Sequence, residues 1–237
     1  MLATLLCCTA LPAQRGDGAE QPPRREPKQE QKVERPKDVV ALFAAFASVK
    51  GLSARYTEEK HLSLLAVPLK SSGALHFLSP SHLSRVVEKP EKQTLTITET
   101  ELRMADKTSV EVIDLRQSDR VRLFVTSLMR VFQGDREALA KHYDVAYVLP
   151  KDSDTKWRLE LTPKTEALQQ ILKQLVLHGD RDKVTGIERT APNGDRTVTT
   201  IVEVDSARTF TAAEKQQLFG IAPEKADATG KRADGAR

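Results

Sequence analysis

Between Gly73 and Met104 apolar side chains recur at every second residue in four short runs, with turn signals between them. Leu75 and Phe77 share a face, as do Leu83 and Val87, Leu95 and Ile97, and Leu102 and Met104. The alternate positions hold Ser84, Glu88, Thr94, Thr96, Thr98, Glu101 and Arg103. A period of two is the signature of strands with one oily side. Ser79-Pro80, Lys89-Pro90 and Glu99-Thr100 separate the runs by too few residues for a parallel crossover, so neighbours pair antiparallel.

A helix is expected before this meander. Pro36 stops the preceding segment, Asp38 can cap the first turn, and Val39, Leu42, Phe43 and Phe46 fall at helical spacing. No charge occurs between Val39 and Val49, which suits either an ordinary core helix or a lid over an apolar cavity. After Gly51 the alternation through Leu52, Ala54 and Tyr56, then Leu62, Leu64 and Ala66 to Pro68, predicts one long bent strand or a hairpin. A second helix is expected from Asp119 to Phe132 with Val121, Phe124, Val125, Leu128 and Phe132 on one stripe, and a short one capped by Asp135 through Lys141. Later strands are expected over Val145–Leu149, Trp157–Thr162, Ile171–His178, Val184–Thr190 and Thr197–Val204, with Asn193-Gly194 a hairpin turn, and then a closing helix over Phe210–Phe219.

The pattern predicts an α+β fold, mainly antiparallel β. About ten strands curl into a half-open barrel whose helices cover the concave face. The expected lining is Leu42, Phe43 and Phe46 from the first helix, the strand residues Leu75, Phe77, Leu83, Val87, Leu95, Ile97, Leu102 and Met104, and Phe124, Leu128 and Phe132 from the second helix. Met104 and Met129 would give an adaptable lining or simply pack. Trp157, beside Leu159 and Leu161, reads as core. Arg85 shares the face of Leu83 and Val87, and either extends past them to water or contacts a lipid headgroup or a lid carboxylate.

Outside that unit, residues 1–13 carry no charge and end in a small residue, like the back half of a secretory signal peptide. Both cysteines lie there, and Cys8 could alternatively carry a lipid anchor. Residues 14–37 hold four prolines and twelve charged residues with one large apolar group, the composition of a disordered spacer, and residues 221–237 read as a similar tail. The folded unit is expected at 38–220. Basic and acidic residues, 37 and 33 of 237, are mixed along the chain, so no stripe suited to nucleic acid forms.

His61, His76, His82, His142 and His178 form no closely spaced ligand pair, and neither a HExxH, a Gly-x-Ser-x-Gly nor a phosphate loop occurs. Asp152-Ser153-Asp154 fails the spacing of a calcium loop, and Asp180, Asp182 and Asp195 sit in turns. A hydrolase is thus the weaker expectation, and no metal or cofactor is expected.

From Leu52 onward the chain resembles the LolA-type periplasmic carriers of outer-membrane lipoproteins. A first helix precedes Leu52, Ala54, Tyr56 and Thr57; Ser72-Gly73 and Leu75 open the next strand; Pro80 and Leu83 precede Pro90; and Leu159, Leu161, Thr162, Pro163 and Lys164 precede two long strands. Three positions depart from the family's pattern: Ser79 stands where an arginine precedes the proline, Arg85 where an aromatic follows it, and Glu58 in place of a glutamine. The resemblance implies a half-open barrel with a helical lid. It implies a periplasmic carrier that takes acyl chains of lipoproteins, or a related lipid, from inner-membrane export machinery to an outer-membrane acceptor. A lipid-anchored outer-membrane receptor, or a sensor of a partner protein, is the alternative on the same architecture.

Overall fold

The structure, a computed structural model, describes residues 34–117 and 119–222, and within the second helix the side chains at 120, 124 and 128 fall outside that description. The expected leader with Cys8, most of the spacer and the tail from 223 also lie outside the described residues, as do the side chains of Phe124 and Leu128.

Sixteen elements follow one another: α1 (Val39–Ser48), β1 (Gly51–His61), β2 (Leu69–Leu78), β3 (His82–Lys89), β4 (Gln93–Ile97), β5 (Glu101–Ala105), β6 (Val110–Asp114), α2 (Asp119–Gln133), α3 (Arg136–Ala140), β7 (Tyr143–Val148), β8 (Lys156–Pro163), α4 (Glu166–Gln169), β9 (Gln174–Asp180), β10 (Lys183–Thr190), β11 (Arg196–Asp205) and α5 (Ala212–Phe219). The strands form one open antiparallel sheet in the order β6-β5-β4-β3-β2-β1-β11-β10-β9-β8-β7. The chain enters at the centre, walks outward to β6, crosses by α2 and α3 to the opposite edge, and walks back until β11 closes on β1. Only the β1–β11 pair is distant in sequence, with Tyr56 opposite Ile201.

Directly opposed residues share a face. Leu52, Phe77, Leu83, Ile97, Leu102 and Ile113 therefore form one apolar row across six strands, as their alternation requires. Two clusters fill the concave side. Phe77, Ile97 and Leu115 pack with Val125 and Met129 of α2 at one end. At the other, Leu42, Phe43 and Phe46 of α1 and Leu139, Leu168 and Leu172 pack on Trp157, Leu159, Leu161, Leu175 and Leu177. Trp157 lies flat over its cross-strand partner Gly179, where an added Cβ would fall 2.0 Å from the indole.

The structure corrects several expectations. A strand through Leu62, Leu64 and Ala66 does not form: β1 ends at His61, and 62–68 are an exposed loop before β2 begins at Leu69. The strand expected from Ile171 starts at Gln174, because 166–169 coil into α4 and bury Leu168 and Leu172 first. An eleventh strand, β6, is added at the edge. Nor do all helices lie on one face. His76 and His82 alternate with Phe77 and Leu83 and so point outward, and there they meet Phe210 and Phe219 edge-on, ring centroids 6.1 Å apart. Helix α5, with its Thr211–Glu214 capping box, thus covers part of the convex side.

Candidate functional site

Along the concave face the environment changes in three steps. The first is the apolar end under α2. Phe77 and Ile97 are buried there, and Leu83, Leu95, Leu102 and Phe132 pack against them. Phe132 stacks on Phe77 with centroids 5.3 Å apart. Leu42, Phe43 and Phe46 line the neighbouring cluster instead, so the expected lining is divided between two halves that α2 bridges with Leu123 and Val131 on one side and Val125 and Met129 on the other. Helix α1 is a core helix on one face only, because Val40 and the alanines at 41, 44 and 47 are exposed. Leu75, Val87 and Met104 lie half-buried outside both clusters.

The hollow expected between sheet and helices is filled by the protein's own side chains in this state. Among the described residues, a cavity of about 40 Å³ is left there, bordered by Phe46, Leu52, Phe77, Phe132 and Val184 and also by Asp182, Lys183 and Ser206.

The second step is a polar bar. Arg85 Nη2 meets Glu58 Oε1 at 2.8 Å and its Nε donates to the Tyr56 hydroxyl at 3.0 Å, while Thr199 donates to the other Glu58 oxygen at 3.0 Å. The guanidinium also sits 4.8 Å from the Tyr56 ring centre. Burial lowers the Arg85 pKa, but Glu58 and Tyr56 outweigh it and hold the charge above the ordinary arginine value; burial likewise raises Tyr56. The carboxylate partner of Arg85 is thus on β1, across the width of β2, and not on a covering helix. The residue paired with Tyr56 on β2 is Gly73, which places no side chain in that path. A Cβ at Gly73 would also collide with the Val86 carbonyl, at 1.9 Å, where β3 shifts register.

The third step is an open trough of about 480 Å³ beyond the bar, lined by Lys60, Leu69, Ser71, Val87, Pro90, Lys92 and Gln93 together with Glu58 and Arg85. No helix covers it.

Sequence reasoning missed Tyr56, Glu58, Thr199 and Gln133. The usable signal was parity: Glu58 and Arg85 both fall on inward positions, and two opposite charges on an inner face call for each other. Gln133, the last residue of α2, donates from Nε2 to the Pro80 carbonyl at 2.9 Å, tying the helix to the turn between β2 and β3. The charged side chains Asp119, Arg122 and Arg130 pair along α2 itself or with Asp135. What holds α2 against the sheet is thus chiefly apolar contact, and Gly134, at φ 72°, ends the helix in a conformation that favours glycine.

Among the described residues no group of three or more His, Cys, Asp or Glu is arranged to hold a metal, and no helix is long and apolar enough to cross a membrane. An open antiparallel sheet with helices held inside its curve is the architecture of the half-open β-barrels. Within that class, this chain belongs to the family of outer membrane lipoprotein carrier protein LolA-like proteins, whose model matches residues 34–220. Solved structures similar to it include a LolA superfamily protein from Nitrosomonas europaea (10% identity, 75% of this chain and 95% of that one, TM-score 0.39). A DUF1329 family protein from Desulfovibrio piger is 11% identical over 74% of this chain and 93% of that one, TM-score 0.42. Pseudomonas aeruginosa MucB, in its complex with MucA, is 16% identical over 75% of this chain and 62% of that one, TM-score 0.41. No curated protein matches the chain.

Proposed function

We propose that this protein is a periplasmic carrier that shelters the acyl chains of a lipoprotein or related lipid beneath α2, and that the present structure is its closed, unloaded state. The observation that carries the reading is the α2 interface, an apolar surface on both sides with Gln133–Pro80 as a side-chain tie. Such a cover can be lifted by anything that offers the same hydrocarbon contacts.

Magnitudes support the exchange. Lifting α2 exposes Val125, Met129, Val131 and Phe132, a loss of about 6–12 kcal/mol at roughly 1.5–3 kcal/mol per side chain. A sixteen-carbon acyl chain has about 14 methylenes and gains about 11 kcal/mol on leaving water. The two are close enough for loading and for release to a receptor with a better apolar site. With its acyl chains under α2, the cargo's polar end would lie at the Tyr56–Arg85–Glu58 bar, facing the open trough. In this reading an inner-membrane machine loads the carrier and an outer-membrane acceptor unloads it, and the family supports binding and carrying as its role.

The test is gentle extraction followed by mass spectrometry of co-purified lipid, with a fluorescent fatty acid titrated into delipidated protein. Saturable uptake that Met129→Glu abolishes, in a variant with the native circular dichroism spectrum, supports the carrier. No uptake by wild type overturns it, and a diacylated Cys8 on the same mass spectrum moves the reading to an anchored receptor.

A further inference from the structure

The loop between β1 and β2 reads Leu62-Ser63-Leu64-Leu65-Ala66-Val67-Pro68 and is followed by Leu69, eight residues without a charge. A surface loop of this composition would ordinarily fold back onto the protein. Here it does not: Leu64 is 94% exposed, Val67 71%, Leu69 51% and Leu65 45%. Contiguous exposed apolar surface on this scale marks an interaction site. The tip is also fixed in place. Leu65 N–H donates to the Leu62 carbonyl at 2.9 Å, and Ser63 N–H donates to the Asp195 carboxylate on the neighbouring β10–β11 turn at 2.8 Å.

We propose that residues 62–69 form a membrane-docking tip that enters the headgroup–acyl boundary of an anionic lipid bilayer. Two features favour a bilayer over a protein partner. The apolar side chains stand together on one short loop at a hairpin end, where a fluid apolar medium can close round all of them. The second feature is a pair of lysines at the base of the hairpin. Lys60 lies directly opposite Leu69, and Lys92 lines the same trough; neither carries an ion pair among the described residues, and Lys70 is bridged to Glu59 at 2.9 Å. Lysines at the foot of an apolar tip sit where lipid phosphates lie. Glu58, Glu91 and Asp106 share the trough wall and Asp195 stands at the loop itself, so the field of these lysines is local. With the tip inserted, the open trough, which Leu69 helps to line, comes to lie beside the headgroups. The inference does not depend on what α2 covers.

The test is flotation of the full chain with phosphatidylcholine vesicles, with and without about a quarter phosphatidylglycerol. Wild type is expected to float with the anionic vesicles, less so as salt rises. Leu64→Glu is expected to lower the bound fraction at least about tenfold. Its melting temperature should be unchanged, because the side chain touches little, so loss of binding is not loss of fold. Leu64→Phe should retain binding, and Lys60→Gln should weaken only the anionic preference. Any contribution of residues 1–13 is common to all variants and cancels. Wild type that fails to float, or Leu64→Glu that floats as well as wild type, overturns the proposal. So does a concentration-dependent dimer that Leu64→Glu dissolves in the absence of vesicle binding.

Discussion

Arg85 on β3 and Glu58 on β1 meet at 2.8 Å across an intervening strand, with Arg85 28% and Glu58 11% exposed at the side chain. Their pairing ties the two positions together: an inward arginine would strand a charge without the inward carboxylate, and Tyr56 and Thr199 add hydrogen bonds to Arg85 and Glu58 respectively.

Because the pair is largely desolvated, removing either partner strands a charge. Arg85→Met and Glu58→Met are each expected to cost about 2–4 kcal/mol, while the double variant costs less than their sum. Urea unfolding of the four proteins measures the coupling. Additive losses would show the two charges to be independent.

Gln133→Ala removes the side-chain tie between α2 and the Pro80 turn. An exposed neutral hydrogen bond contributes about 0.5–1 kcal/mol, so global stability changes little while α2 opens more often. Amide exchange along α2 should speed up relative to β8 and β9, and fatty-acid uptake should quicken. Unchanged exchange on α2 would mean that Gln133 does not hold it.

Phe77 borders the small cavity and stacks on Phe132, so its truncation joins new void to old. Phe77→Ala should lose about 3–5 kcal/mol of stability and gain affinity for a small apolar probe, since the void left by the ring is bordered by Phe46, Leu52 and Phe132. Calorimetric melting with and without the probe reads both. A stability loss under 1 kcal/mol would show that the pocket collapses.

Burial pulls His76 and His82 below the ordinary imidazole value; Arg208 pushes His76 further the same way against Glu214, and Glu99 opposes the shift at His82. With the folded pKa depressed, the unfolded chain binds more protons, so stability rises with pH through the window that ends near about 6.5 and is lost on acidification. Urea midpoints should fall between about pH 7.5 and about pH 5.5, and His82→Phe should flatten that slope. An equal slope in the variant would assign the loss elsewhere.

The strands were legible wherever one face is buried, because burial imposes the alternation that the sequence displays from Leu75 to Met104. Where that link fails, so does the reading. Leu62, Leu64 and Ala66 keep the period of a strand yet stand in solvent, and only Pro68 marks the break. β6 escaped because Val110 and Val112 are exposed on an edge strand, so nothing buried repeats. Phe210–Phe219 was recognisable as a helix, but its pattern carries no information on which side of the sheet receives it. The inward parity of Glu58 and Arg85 was visible. Their partnership was not, since it spans two strand pairings and needs Gly73 between.

Helix α5 lies on the outer wall of the sheet, whereas α1 lies within the curve. A fluorophore or surface tether attached at the exposed Gln217 of α5 would therefore leave the concave side unobstructed, and single-molecule experiments can be built from that handle.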